Sequence, residues 1–177
     1  ADGDQAKNRQ INQERLTPAQ LVEVEKLDTE KFQAWARIGR RIAEKNFGPK
    51  PTQLINCNAG DYGFSISYNG IFRLCTSLCS SECIYDLANG TLSDAWYNFA
   101  PIVRTRTPTT CFADNCGSCR IFELCPWCPA HAHLQTGKLD QPVDYFCQVA
   151  HARARALGII VPDIAMQCMN ESSIHHK

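Results

Sequence analysis

Apolar residues recur at helical spacing after a polar segment, residues 1–16, that we interpret as an extended arm. Thr17 and Pro18 predict the start of a first helix, because a hydroxyl caps a helix end and proline suits the first helical position. Its apolar stripe is predicted to contain Leu21, Val24 and Leu27. A second helix is predicted after Asp28, and residues 48–51 are predicted to end it. Its stripe is predicted to contain Phe32, Trp35, Ile38 and Ile42.

The pattern changes from helical spacing to alternation beyond residue 51. Residues 64–68 and 71–74 flank the dipeptide Asn69-Gly70, which predicts a β-hairpin with a type I′ turn. The next segment contains thiols at every fourth position, a spacing that suits either one face of a helix or an irregular loop. These thiols are Cys75, Cys79 and Cys83.

Short helices are predicted again in the second half of the chain. One is capped by Thr91 and ended by Pro101, one covers residues 129–134, and one runs from Pro142 to Gly158. We therefore predict an α+β fold, in which a small, irregular cysteine-rich module with a β-hairpin and short helices follows an N-terminal helical segment. The predicted divisions are residues 1–50 for the arm and helical connection, 51–158 for the cysteine-rich domain and 159–177 for a C-terminal tail.

The charge balance argues against some classes of partner. Lys plus Arg and Asp plus Glu each number 18 among 177 residues, so the chain has no overall positive field to attract nucleic acid. No apolar run approaches the roughly 20 residues that a membrane helix needs. We therefore expect binding to neither nucleic acid nor a membrane.

Eleven cysteines are the clearest departure from an ordinary composition. Four of them fall within thirteen residues, spaced C-x2-C-x5-C-x2-C, at Cys116, Cys119, Cys125 and Cys128. The odd total and the paired spacing favour metal-bound thiolates in a reducing compartment, the cytoplasm, over a disulfide framework.

More than one chemistry suits such thiols. Tetrahedral zinc would be satisfied by the four clustered thiols, which would make the chain a zinc-stabilised interaction module, but zinc leaves Cys57, Cys75 and Cys147 without a role. A 4Fe-4S cluster also takes four cysteines, and they often come from distant segments. A thioredoxin-like pair would need a βαβ pattern, which the sequence lacks. His131 and His133 are further candidate ligands.

Seven cysteines and one glycine follow one another in a recognisable order. Cys57 is followed after twelve residues by Gly70 and after four more by Cys75; the later members are Cys116, Cys119, Cys125, Cys128 and Cys147. This order resembles the SPASM domain, the C-terminal auxiliary-cluster module of radical S-adenosylmethionine enzymes that modify peptides and proteins. The resemblance covers about residues 55–150.

The resemblance implies two 4Fe-4S clusters with interleaved ligands. The first group of ligands, here called the outer set, contains Cys116, Cys119, Cys125 and Cys147. The second group, the inner set, contains Cys57, Cys75 and Cys128 and would hold the cluster nearer the catalytic barrel. The fourth inner ligand is left open between Cys79, Cys83, Cys111 and a free iron position. The family usually has C-x3-C where this chain has the shorter Cys125-Pro-Trp-Cys128.

The sequence lacks the C-x3-C-x2-C motif that holds the cofactor-cleaving cluster in that family. By this resemblance the chain is the C-terminal part of a peptide-modifying enzyme, and we do not expect it to be catalytically competent alone. The implied partners are the radical S-adenosylmethionine barrel of the same enzyme, where the cofactor would bind, and a peptide or protein substrate. The implied role of the two clusters is electron transfer or substrate anchoring.

Overall fold

The computed structural model describes residues 10–11, 13–47 and 52–161, and these form a mixed α and β structure, as predicted. The α-helices are α1 (Pro18–Leu27), α2 (Thr29–Ala43), α3 (Leu92–Asp94), α4 (Ala100–Arg104), α5 (Thr110–Asn115), α6 (Pro129–Thr136) and α7 (Asp144–Ala156). The strands are β1 (Ser65–Ile66), β2 (Ile71–Arg73) and β3 (Ile84–Asp86). Short 3₁₀-helices cover Ser81–Cys83, Leu87–Asn89 and Phe122–Leu124, and a π-helical turn covers Ala95–Phe99. None of the helices in the described ranges has the length and apolar character needed to cross a membrane.

Helices α1 and α2 begin where the sequence predicts. The Thr17 hydroxyl accepts a hydrogen bond from the Gln20 N–H, and the Gln20 side chain accepts one from the Thr17 N–H, which completes a capping box. Asp28 caps α2 by accepting a hydrogen bond from the Lys31 N–H at 3.0 Å. Helix α2 ends at Ala43, ahead of residues 48–51, which lie outside the described ranges.

The prediction of an extended arm is wrong for part of residues 1–16. Residues 10–11 and 13–14 have helical backbone, in keeping with the helix propensity of the Gln and Glu residues there. Residues 1–9 and 12 lie outside the described ranges.

The buried face of α1 also differs from the prediction. Val24 and Leu27 are 52% and 83% exposed, whereas Val22 and Glu25 are buried. The cause is a long-range partner, because Arg153 of α7 donates two hydrogen bonds to the Glu25 carboxylate. This ion pair turns the Val22 and Glu25 side of the helix inward, and the apolar stripe read from the sequence is therefore displaced.

The predicted hairpin is present, but its turn is of another type. Ser65 pairs with Arg73 across β1 and β2, and the Gly70 N–H donates to the Ser67 carbonyl at 2.9 Å. Gly70 has a φ of +79°, and it is the only loop residue with a positive φ, so the loop has three residues and a type I turn followed by glycine. A hydrogen bond from the Ser67 hydroxyl to the Asn69 side chain stabilises this arrangement in place of type I′.

Strand β3 extends the hairpin to an antiparallel sheet with the order β1-β2-β3. It pairs Ile84 with Arg73 and Tyr85 with Phe72. The three residues of β3 are too few to show alternation, and the sequence did not predict the strand. Residues 75–80, which precede it, form an irregular loop, so the loop alternative for this cysteine-containing segment is correct.

Pro101 does not end the helix that Thr91 caps. The π-helical turn lies between α3 and α4, and the Ala100 N–H donates to the Ala95 carbonyl, five residues earlier. The wider turn accommodates a residue without an N–H, so Pro101 occupies the first turn of α4 and the helix continues to Arg104.

The remaining helices surround the clustered thiols. The sequence did not predict α5, because it is short and polar and buries only Phe112. Helix α6 ends at Thr136, two residues beyond the predicted 129–134, and Gly137 follows it in a left-handed conformation. Helix α7 begins at Asp144, two residues later than predicted, because Pro142 lies in the extended segment before it.

A first hydrophobic core packs against the sheet. It contains Leu54, Ile55, Phe72, Leu74, Leu78, Cys83, Ala95, Ala100, Val103, Ala130 and Leu139. A second core joins α2, α7 and the Phe122–Leu124 turn; its members are Ile42, Ile121, Leu124, Ala150 and Ala154, with Trp35, Ile38, Ile159 and Val161 against them. The N-terminal helices thus pack on the cysteine-rich region, and the division of the chain near residues 50 and 158 stays a prediction.

Gly60 lies in the loop that follows Cys57, and we expect Gly60→Ala to destabilise the fold. Its φ is +75°, and a Cβ there would lie 2.8 Å from Cγ of the buried Leu74. The left-handed backbone costs about 1 to 2 kcal/mol for alanine, and overpacking of the core adds about 1 to 3 kcal/mol. Urea unfolding measures the loss.

The matched control is Gly70→Ala, which has the same backbone cost without the clash, because nothing lies within 4 Å of the added Cβ. Equal losses of unfolding free energy in the two variants would show that the Leu74 side chain moves aside without an energetic penalty.

Candidate metal centre

The four thiols of the outer set line one cavity of about 550 Å³. Each comes from a different position in the fold. Cys116 ends α5, Cys125 ends the Phe122–Leu124 turn, and Cys147 lies in the first turn of α7. Cys119 lies in the segment between the first two. Cys128 belongs to the same thirteen-residue run but does not line this cavity.

Successive backbone turns bring the first three of these thiols together. The Cys119 N–H donates to the Cys116 carbonyl at 3.2 Å, and the Phe122 N–H donates to the Cys119 carbonyl at 3.3 Å. The Cys125 N–H then donates to the Phe122 carbonyl at 2.8 Å. The spacing C-x2-C-x5-C is thereby folded into consecutive tight turns whose sulfurs face Cys147.

The outer thiols are protonated at neutral pH. Burial raises the pKa of Cys116, and repulsion from a thiolate at Cys147, Cys125 or Cys119 raises it further. Burial and Cys147 raise the pKa of Cys125 to about 12, and burial and Cys119 raise that of Cys147 to about 11. Four thiolates can coexist here only if a cation compensates their charge, so metal binding would release protons.

Backbone N–H groups favour the thiolate at several of the clustered sulfurs. The Ile121 N–H lowers the pKa of Cys119, and the Trp127 N–H lowers that of Cys125, although burial raises both pKa values overall. Cys128 caps α6, and the N–H groups of the first turn of that helix have the same effect on it. The donor is in each case a residue two or three positions beyond the cysteine.

Cys128 interacts with the other two thiols that the resemblance places in the inner set. Burial raises its pKa, and the charges of Cys75 and Cys57 raise it further. Cys75 and Cys128 both pack against the first core. Cys57 is exposed, and Arg104 holds its loop by donating to the Cys57 carbonyl at 3.1 Å and pairing with Asp61 at 3.0 Å.

The cysteines without an assigned set have distinct environments. Cys83 is 1% exposed and lies inside the first core. The Cys79 thiol donates to the Thr76 carbonyl at 3.7 Å. Cys111 acts electrostatically on Cys116, and so belongs beside the outer set. Cys168 lies outside the described residues.

Two arginines that lie beside the thiols were not predicted from the sequence. Arg153 is buried on the ring of Trp35, at 4.4 Å, and its charge lowers the pKa of Cys125. Its position within the apolar stripe of α7 is a signal that could have identified it, because a charge there needs a buried partner. Arg106, which donates to Cys83, lies in a polar connection that gives no comparable signal.

The two histidines beyond Cys128 lie on α6. His131 is exposed and packs near the ring of Phe146, with the ring centres 6.2 Å apart. His133 is half-buried, and its Nδ1 atom is buried without a hydrogen-bond partner.

Within the part of the chain that the structure describes, no three His, Cys, Asp or Glu side chains converge closely enough to hold a single metal ion. Tetrahedral zinc would require four sulfurs about 3.8 Å apart, because each Zn–S bond is about 2.3 Å long. The ligands of a 4Fe-4S cluster lie outside a cube of eight atoms and are further from one another. The two kinds of site therefore require different sulfur separations.

No protein-family model, curated protein or solved structure matches this chain. The likeness to the SPASM domain accordingly stays a prediction from the order of the cysteines.

Proposed function

We propose that this chain binds two 4Fe-4S clusters and serves as the auxiliary-cluster unit of a radical S-adenosylmethionine enzyme that modifies a peptide or protein. One observation carries the proposal. Cys116, Cys119 and Cys125 share a cavity with Cys147 from a later helix, whereas Cys128 interacts electrostatically with Cys57 and Cys75, which lie further away along the chain. A run of four clustered thiols that divides in this way suits two centres better than one.

The donor sets fit iron-sulfur clusters chemically. Both contain thiols alone, and cysteine thiolates are the usual ligands of such clusters. Burial keeps the sulfurs protonated until a cation is present, while the N–H groups near Cys119, Cys125 and Cys128 favour the thiolate form. Hydrogen bonds to ligand sulfurs are among the features that set cluster potentials.

The role of the unit follows from this chemistry. A bound 4Fe-4S cluster accepts and donates single electrons, and an iron with a free position can also bind a substrate group. The remaining reaction components would come from the barrel domain, which would hold S-adenosylmethionine, and from the peptide or protein substrate. This chain would supply the thiols, the cavity and the surrounding dielectric.

Anaerobic reconstitution with iron and sulfide tests the proposal. We expect about eight irons and about eight sulfides per chain, with a brown colour and an EPR signal after reduction. The buried thiols should resist alkylation afterwards. A colourless protein that retains one zinc and no iron would overturn the proposal in favour of the zinc-stabilised interaction module.

A further inference from the structure

We infer that Cys83 is the fourth thiolate of the inner set, and that Arg106 is the hydrogen-bond donor to its sulfur. The inference rests on the proposed function, because it completes the ligands of one of the two clusters. A 4Fe-4S cluster takes four ligands, and the inner set as read from the sequence contains three.

The sheet brings Cys83 to the correct end of the molecule. Arg73 of β2 pairs with Ile84 of β3, so Cys75 follows β2 at the same end at which Cys83 precedes β3. Both residues belong to one packed region, since Cys83 is a member of the first core and Cys75 and Cys128 pack against that core. Sequence spacing alone did not reveal this proximity, because β3 was not foreseen.

The surroundings of Cys83 include a cationic hydrogen-bond donor, which an ordinary buried thiol lacks. Its side chain is 1% exposed, yet a guanidinium group reaches it, with Arg106 Nη1 3.8 Å from Sγ. Glu82 fixes that guanidinium through an ion pair of 2.6 Å with Nη2. Burial raises the pKa of Cys83 and Arg106 partly offsets this, which agrees with a donor aimed at a thiolate.

The other two candidates for the fourth position fit less well. The Cys79 thiol is directed to the Thr76 carbonyl within its own loop. Cys111 interacts with Cys116, so its sulfur lies on the side of the outer set. Cys83, by contrast, interacts electrostatically with an inner-set thiol, Cys75.

The test compares Cys83→Ala with Cys79→Ala and Cys111→Ala in the full chain, each reconstituted anaerobically. We expect Cys83→Ala to fall from about eight to about seven irons and to give the EPR signal of an oxidised three-iron cluster. The two control variants should keep about eight irons. Circular dichroism of the metal-free chains checks folding, and Cys83→Val, whose apolar side chain cannot ligate iron, replaces Cys83→Ala if that variant does not fold.

An unchanged iron content and EPR spectrum in Cys83→Ala would overturn the inference while leaving the two-cluster proposal intact. A wild-type chain that binds no iron would overturn both. Arg106→Met supplies an independent readout, because it should keep about eight irons and make the midpoint potential of one cluster more negative. If the midpoint potentials of both clusters are unchanged in Arg106→Met, Arg106 is not a hydrogen-bond donor to a cluster ligand.

Discussion

Replacing Cys119 and Cys125 together by alanine is expected to halve the bound iron, from about eight to about four irons per chain. Both thiols line the cavity of the outer set, and a cluster that loses two of its four ligands should not be retained. The inner set is untouched in this variant. Replacing Cys57 and Cys75 should cause an equal loss through the other set. Iron and sulfide analysis, with EPR spectra after reduction, measures both variants.

The matched control replaces Cys79 and Cys111, which belong to neither set, and it should keep about eight irons. A single zinc ion held by the four clustered thiols predicts another result. It would be lost from the Cys119 and Cys125 variant and fully retained by the Cys57 and Cys75 variant. Full metal content in the latter variant would therefore rule out the interleaved assignment.

Glu25→Gln is expected to lower the free energy of unfolding by about 3 to 5 kcal/mol, because it leaves a buried guanidinium without its counter-charge. Arg153 Nε and Nη2 donate to the Glu25 carboxylate at 2.8 and 2.6 Å, and Nη1 donates to the Leu124 carbonyl. Only 5% of Glu25 and 6% of Arg153 is exposed. Urea unfolding followed by circular dichroism measures the loss.

Glu23→Gln is the matched control on the same helix. Glu23 pairs with Lys26 at 2.6 Å, but the pair is exposed to solvent and should contribute only about 0.2 to 1 kcal/mol. If Glu25→Gln lowers the free energy of unfolding no more than the control does, water compensates the charge of Arg153 in place of the carboxylate.

The same ion pair should make the protein sensitive to acid. Burial raises the pKa of Glu25, but hydrogen bonds from Arg153 and Lys31 outweigh it, and the pKa lies below its ordinary value. A carboxylate of this kind stabilises the folded state above its unfolded-state pKa of about 4.3, and the contribution is lost as the pH falls through the folded-state pKa. Acidification from about pH 7 to about pH 3 should thus cost the wild type more stability than Glu25→Gln.

Local signals in the sequence predicted the starts of helices but not the faces that they bury. The Thr17 and Asp28 caps act within three residues, so they could be read directly. The face of α1 depends on Arg153, which is 128 residues away from Glu25. Strand β3 and the continuation through Pro101 were missed for the same reason, because a neighbouring strand and a π-helical turn determine them.

The candidate site likewise contains features that the sequence predicts and features that depend on tertiary contacts. The resemblance to the SPASM domain supplied both predicted sets, including the separation of Cys128 from the three thiols that precede it. The position of Cys83 depends on strand pairing, and that of Arg106 on the packing of a polar connection. Neither leaves a periodic pattern in the chain, so contacts of this kind become visible only once the fold is known.

The start of α1 forms part of the wall of the outer cavity, through Thr17, Pro18 and Ala19. The Tyr145 hydroxyl donates to the Leu16 carbonyl at 2.9 Å and helps to hold this wall in place. A fragment that begins at residue 51 would therefore open these sulfurs to dioxygen and to stepwise oxidation toward sulfenic and sulfinic acids. Shielding of the outer thiols is thus shared by the N-terminal helix and is not supplied by the cysteine-rich region alone.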